Sequence, residues 1–462
     1  MAEIPATPAA DGQPRVLAAA PGLRVLSVAL LLVAIGWCAY LAGAFTWRVE
    51  PDFEYFYRAG EWLLVRGTTD PGYDLLPGRI AERGRLDWYL PFVHRFMTLF
   101  AWMPYRVAGL LWVALSVAAL LGTLWMLGRY LSGLAPRDWL VTQALPFLLL
   151  FVFWNWEFRL SQINTLTLLL MVGCLVSLER GRRGLAGLWA GLAALLKITP
   201  ALLLFWLLLK REFRAAGVAM LTIFLAGPVG DLAVFRGDAA AVYTDWLTRA
   251  VHEGSHAGLV RTQREIDWRN QGLGVVLCRW LHPTPYTTRF DNDPRMDRQF
   301  TLPETRTINV ASFPLSVVAT IVTGSAVASL LVLVWVTRRP ASALSAWQRR
   351  VEFALVLLAM LWLMPVLRRY HLIWMLPALS LLLAQIYRLG WQDRWSWLAA
   401  GCVTLFAALQ AGMLVERVEA MGPQLLSVAL LAVPLVVLHR DLDAARSLSA
   451  PARAGGVEPR HA

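Results

Sequence analysis

Apolar runs of about 20 residues recur along the chain, divided by short basic segments and, twice, by long polar stretches. A helix of that length crosses a ~30 Å hydrocarbon core. Backbone in lipid must satisfy its own hydrogen bonds, so the runs are expected to be helices. The pattern places spans near 23–45, 106–128, 139–156, 160–178, 184–197, 200–209, 215–235, 311–337, 351–367, 371–388, 395–415 and 424–440. The first is too long for a removable signal peptide, and Trp47, Arg48 and Glu50 follow it where a small-residue cleavage site would stand. The expected fold is all-α and polytopic, with about 12 transmembrane helices spanning residues 23–440 and two large loops at 46–105 and 236–310. Residues 1–22 and 441–462, rich in Ala, Pro and Arg, read as disordered tails.

Composition supports the membrane reading. Apolar residues make up 58% of the chain and charged ones 16%, below the quarter expected of a soluble domain. The 22 tryptophans suit interfacial belts. A net charge of +12 invites a nucleic-acid partner, but its distribution argues for none. Arg129 and Arg137, Arg180–Arg183, Lys210–Arg214, Arg338–Arg350, Arg388 and Arg394, and the tail arginines from Arg440 onward all fall on one side if the N-terminus is cytoplasmic. The outer loops are nearly neutral, with seven basic against eight acidic residues over 46–95 and ten against nine over 236–309. That is the positive-inside pattern, with both termini cytoplasmic in a cell (inner) membrane.

Residues 184–209 have basic flanks at both ends. Pro200 disfavours helical geometry in the residue before it, so Lys197-Ile198-Thr199-Pro200 is expected to turn a hairpin of two short helices. A single kinked span is the alternative, and it would invert everything downstream.

Candidate chemistry clusters at the outer ends of the spans. Asp52 opens an amphipathic stretch in which Phe53, Phe56, Gly60 and Leu63 share one face and Glu54, Arg58 and Glu61 another. Asp52 could cap that helix, or hold a carboxylate at the bilayer surface. Asp87, Trp88 and His94 follow before the chain re-enters, with His94 expected near the interface. Arg159, Gln162 and Asn164 flank the start of one span, Lys197 sits in the hairpin turn, and Arg368, Arg369 and His371 lie between two later spans. Polar groups at that depth face a cavity or one another. The arginine pair also breaks the charge rule that the rest of the chain obeys.

The second loop carries His252-Glu253-Gly254-Ser255-His256, which matches the zinc-protease string letter for letter. An interior Gly disfavours the helix that motif needs, and no third ligand is evident. The four cysteines offer no CxxC spacing and no loop disulfide. No cofactor is called for, although Asp52 and Glu54 could share a divalent ion.

Taken together, the motifs resemble glycosyltransferase family 87, a branch of the GT-C membrane glycosyltransferases. The resemblance rests on Asp52 with the aromatics that follow it, Ala59-Gly60, Gly67 and Tyr73. It rests also on Gln162-x-Asn164, where Ser161 stands in place of the family's usual Gly, and on Leu196-Lys197-x-x-Pro200. Asn270-Gln271-Gly272-Leu273 completes it, with a loose match at Pro365 through His371. Order and spacing agree over roughly residues 45–390.

The resemblance implies a GT-C fold and transfer of a mannosyl-type hexose or a pentose from a polyprenyl-phosphate sugar to a lipid or glycan acceptor. It implies Asp52 as general base on the extracytoplasmic face, since an Asp early in the first outer loop does that work in these enzymes. Glu54, His94, Arg159, Gln162, Asn164, Lys197, Arg368, Arg369 and His371 are the substrate-binding candidates, the cations serving the leaving phosphate. A transporter or flippase of lipid-linked glycans is the rival, and a glycan ligase or polymerase the nearer one. Transporters place polar groups in broken helices near the midplane, whereas here they sit at outer ends.

Overall fold

The computed structural model describes residues 21–48, 52–66, 89–131, 136–235, 239–263, 265–286, 306–391 and 393–449. Gly67, Tyr73, Asp87, Trp88, Arg264 and most of both tails lie outside them. The described elements are helical, with no strand among them.

In chain order the helices are α1 (Pro21–Arg48), α2 (Asp52–Arg66), α3 (Pro91–Ala101), α4 (Tyr105–Met126), α5 (Pro136–Leu149), α6 (Phe151–Arg159), α7 (Asn164–Glu179), α8 (Arg183–Leu196) and α9 (Leu202–Leu209). They continue as α10 (Phe213–Phe224), α11 (Gly230–Phe235), α12 (Ala239–Trp246), α13 (His256–Thr262), α14 (Leu273–Leu281), α15 (Leu315–Thr337) and α16 (Ala346–Trp362). The last are α17 (Leu376–Leu389), α18 (Arg394–Ala411), α19 (Glu416–Ala420) and α20 (Pro423–Ser449).

Among the described residues six segments are long and apolar enough to cross a membrane: Tyr105–Leu131, Phe213–Phe235, Leu315–Thr337, Arg369–Leu389, Arg394–Leu414 and Pro423–Arg440. Helices α6 and α7 would make a seventh, but they are bent by 120° at their junction. Val28–Ala44, Arg183–Leu196 and Thr199–Leu209 are apolar but shorter. By length and composition alone, six or seven of the expected 12 or so are therefore long apolar spans among the described residues. Several runs that the sequence presents as spans are short or broken helices.

The interior is built by α7, α16 and α17, whose side chains are almost all buried. Their starts are written in the sequence. Ser345 accepts from the Gln348 N–H at 3.1 Å while the Gln348 side chain returns to Ser345, a capping box that opens α16. Such a cap stabilises a helix start by about 1 kcal/mol. Asp393 caps α18 by accepting from Trp395 N at 2.7 Å. Helix α8 lies close along α10 because Gly191 has no side chain there: a Cβ would stand 2.7 Å from that of Thr222.

The basic clusters gather at one end of the bundle. Arg180 reaches Tyr130, and Arg350 binds Glu179 at 2.7 Å and the Leu131 carbonyl at 3.2 Å. Arg183 pairs with Glu212 at 2.7 Å, so the two ends of the 184–209 segment lie together. The segment is thus a hairpin, with Lys197 at its far tip in extended backbone (φ −154°, ψ 133°). The kinked-span alternative does not fit that contact. Helix α7 links the two ends over 16 residues, about 24 Å.

Candidate functional site

At the tip of the hairpin, opposite the basic clusters, the bundle opens into a cleft of about 1210 Å³. Asp52, Tyr55 and Phe56 of α2 line one wall, Tyr89 and Lys197 another, and the segment from Met364 to His371 a third.

Helix α2 is amphipathic as expected. Phe53, Phe56 and Leu63 are buried, Gly60 packs directly on the Met97 backbone of α3, and Arg58 pairs with Glu54 at 3.6 Å and Glu61 at 2.7 Å. The helix starts at Asp52 itself, and the Asp52 carboxylate accepts a hydrogen bond from Gln162 Nε2. Tyr89 O–H donates to Gln162 Oε1 at 3.4 Å. Burial above all, with Tyr370 and Asp52 adding, keeps the Tyr89 phenol protonated well above its usual range. It stays a donor.

Gln162 can reach Asp52 because α6 and α7 meet at a sharp turn. There Ser161 adopts φ 49°, in the left-handed region that favours Gly.

Beyond the turn, Asn164 opens α7 fully buried. Its Nδ2 donates to Glu157 at 2.9 Å and its Oδ1 accepts from Lys197 Nζ at 2.7 Å. Glu157 takes two further bonds, from Thr165 N at 2.8 Å and Thr165 O–H at 3.0 Å. Lys197 also stands over the Trp374 ring at 5.6 Å. A carboxylate, an amide and an ammonium are thereby wired in series into the cleft wall. Sequence reasoning missed Glu157, although an acid inside Phe151-Val152-Phe153-Trp154-Asn155-Trp156-Glu157 is the signal that should have been read.

The third wall is held by the second outer loop. Asn270 Nδ2 donates to the Glu265 carbonyl at 3.0 Å and the Pro365 carbonyl at 3.3 Å. Its Oδ1 accepts from Gly272 N at 2.9 Å and Leu367 N at 3.0 Å. A Cβ at Gly272 would collide with the Pro365 carbonyl. The Asn270-Gln271-Gly272 string therefore clasps the turn from Pro365 to Leu367 that delivers Arg368 and His371 to the cleft.

Arg368 is engaged by Glu265 and by Asp267, the latter at 3.0 Å. Burial would raise the Asp267 carboxyl, but the adjacent guanidinium overrides it and holds the group below the usual carboxylate range. His371 Nδ1 accepts from Arg368 N at 3.0 Å.

Of the candidates from sequence, Asp52, Lys197, Arg368 and His371 line the cleft, with Gln162 and Asn164 bonded directly behind them. The remaining four lie off it. Glu54 is turned to Arg58, and Arg159 lies over Trp156 at 5.1 Å. Arg369 is bound to Glu419 and also lies over Trp156, at 5.4 Å. His94 is buried rather than interfacial. Both its ring nitrogens lack partners, and burial lowers its pKa to about 4. In the zinc-like string, His256 spends its ring on Leu363 O at 3.0 Å and Gly274 N at 3.3 Å. Among the described residues no group of three His, Cys, Asp or Glu is placed to hold a metal.

A carboxylate facing cations across a cleft, where apolar helices end, suits an anionic, amphiphilic ligand. Residues 88–289 match the model of glycosyltransferase family 87. A polyprenol-phosphate-mannose-dependent alpha-(1-2)-phosphatidylinositol pentamannoside mannosyltransferase from Mycobacterium tuberculosis (strain CDC 1551 / Oshkosh) is 26% identical over 256 residues. That match takes in 54% of this chain and 56% of the relative's length. No solved structure matches the chain. The family region contains Gln162, Asn164, Lys197 and Asn270–Gly272, while Asp52 and Arg368–His371 lie outside it.

Proposed function

We propose that the protein is an inverting glycosyltransferase that moves a mannosyl-type or pentosyl residue from a polyprenyl-phosphate sugar to a lipid or glycan acceptor. In this reading the chain crosses the cell (inner) membrane about 12 times, counting short and broken helices, with both termini cytoplasmic and the cleft outside. The observation that carries the proposal is the meeting of Asp52, Lys197, Arg368 and His371 in one cleft.

The Asp52 carboxylate accepts the proton of the acceptor hydroxyl as its oxygen bonds to the anomeric carbon. The bond from that carbon to the phosphate oxygen breaks on the opposite face, through a transition state with oxocarbenium character that a nearby carboxylate also stabilises. Polyprenyl phosphate leaves with the bonding electrons. Lys197 is the foremost cation for it, because Arg368 already has two carboxylates and Lys197 meets Glu157 only through Asn164. Gln162 holds the Asp52 carboxylate in register. The prenyl chain lies against apolar helix surface.

The test is transfer from labelled polyprenyl-phosphate mannose by the purified chain in lipid nanodiscs. Asp52→Asn is expected to remain folded and to lose about 10²–10⁴-fold in rate. Full activity in that variant removes Asp52 as base. Counterflow of a lipid-linked glycan without covalent product favours the flippase instead.

A further inference from the structure

A second, unrelated hollow of about 1270 Å³ lies at the opposite end of the bundle, between the α9–α10 turn and the loop joining α15 to α16. Its cations outnumber its acids, and the acids are already spoken for. Glu212 is bound by Arg183 at 2.7 Å, Glu179 by Arg350 at 2.7 Å and 3.0 Å, and Lys210 is paired with Glu352. Three guanidinium groups of the lining have no carboxylate partner among the described residues: Arg211, Arg214 and Arg349.

The Arg349 side chain and the Arg211 backbone are fixed in place. Arg349 Nη1 donates to the Leu344 carbonyl at 3.0 Å, which anchors it to the loop. Arg211 is held at φ 59°, a conformation that costs an L-residue about 1–2 kcal/mol, and the turn is closed by Arg211 N to Leu208 O and Glu212 N to Leu207 O, both 3.0 Å. Backbone strain retained under such constraint concentrates at functional positions. Arg214 is exposed, one residue into α10.

The hollow sits where apolar helices end, and apolar surface continues from it. Phe213 is 64% exposed at its rim, and Met220, Leu221 and Phe224 extend the same outer face along α10. A strong cation cluster joined to an apolar stripe matches an anionic headgroup with acyl chains attached. A free phosphate would have no use for the stripe.

We infer that this hollow is a binding site for an anionic phospholipid, its phosphate held by Arg211, Arg214 and Arg349 and its acyl chains laid along α10. The site lies at the other end of α7, a helix about 24 Å long, from the cleft, so it stands whether or not the glycosyltransferase reading does. Its position would tie the α8–α9 hairpin, which carries Lys197, to the composition of the leaflet.

The experiment is native mass spectrometry of the full chain released from nanodiscs of mixed phosphatidylglycerol and phosphatidylcholine. Wild-type protein is expected to retain phosphatidylglycerol in preference to phosphatidylcholine. Arg211→Gln combined with Arg214→Gln should cut that retention about tenfold. Arg180→Gln, on the same face but outside the hollow, should leave it unchanged. If the double variant does not yield monodisperse protein, Arg214→Gln alone serves, with a smaller fall expected. Equal retention of both lipids, retention unchanged in the variants, an equal loss in Arg180→Gln, or displacement of the lipid by inorganic phosphate at matched concentration would each overturn the inference.

Discussion

Helix α9 is flanked by two lysines, the buried Lys210 and the half-buried Lys197, and they are treated in opposite ways. Lys210, after its last turn, meets Glu352 directly, donates to the carbonyls of Thr337 and Arg339, and shares Glu352 with His439, which lies 3.0 Å from it. Its charge is consumed in tying α9, α15, α16 and α20 together. Lys197, before the first turn, has no carboxylate within ion-pair distance among the described residues and reaches Glu157 through Asn164, on a cleft wall. One lysine is a structural rivet. The other meets an amide and lines the cleft.

The comparison breaks first at Lys210, where the largest effect is expected. Lys210→Met leaves the buried Glu352 with His439 as its remaining charged partner and should cost about 3 kcal/mol, the lower end of what removing one partner of a buried pair costs. Thermal unfolding in nanodiscs measures it. A variant as stable as wild type would mean the ion pair holds nothing together.

Lys197→Met should act in the other currency. Glu157 keeps its bonds from Asn164 and from Thr165, so little stability should be lost. Transfer should fall about 10–100-fold, as for loss of a charged hydrogen bond of roughly 1.5–3 kcal/mol, mainly as a raised KM for the polyprenyl-phosphate donor. If Lys197→Met instead destabilises the chain as much as Lys210→Met does, the contrast between the two lysines is gone.

Acid should also separate the two ends. At the cleft end His256 is half-buried with both ring nitrogens engaged, and desolvation lowers its pKa from 6.5 to about 4. The neutral ring is the one that fits, since Nδ1 must accept from Gly274. Its contribution is therefore complete above pH 6.5 and is lost as the pH falls through about 4. By pH 5 the loss should be about 1–2 kcal/mol. Melting curves from pH 7.5 downward, compared with those of His256→Gln, should show a flatter acid limb in the variant. An identical limb would place the acid-sensitive group elsewhere.

These contrasts show what a sequence can and cannot disclose. The helices were legible because lipid allows apolar runs no other regular structure, and the hairpin because Arg183 and Lys210 mark both its ends while Pro200 marks its tip. The span count was not, since a run of apolar letters does not reveal that α6 and α7 break by 120° at Ser161. Asp52, Gln162, Lys197 and His371 were found one by one, each being polar where polarity is costly. What eluded the sequence was pairing over distance. Arg368 looked like an unneutralised cation until Glu265 and Asp267 arrived from about a hundred residues away, and Arg369 until Glu419 did. A side chain's charge is local, but whether that charge is free for a ligand depends on the whole fold.

The smallest effect tests the two turns rather than the two lysines. Ser161 and Arg211 both sit at left-handed φ between consecutive helices, one at the cleft end and one at the basic end. In both turns the backbone closes alike, with Gln162 N donating to Glu157 O and Glu212 N to Leu207 O, each at 3.0 Å. Replacing either residue by Gly relieves about 1–2 kcal/mol of strain, while the freer unfolded chain takes back about 0.5–1. Ser161→Gly should thus gain up to about 1 kcal/mol, since the Ser161 carbonyl still accepts from Trp112 and its hydroxyl makes only a 3.4 Å contact to Phe158 O. Arg211→Gly should gain a similar amount yet lose retained anionic lipid. Equal stabilisation with unequal lipid retention would show that the strained backbone at Arg211 is kept for its guanidinium. A loss of stability at Ser161→Gly would instead show that the serine side chain holds the turn.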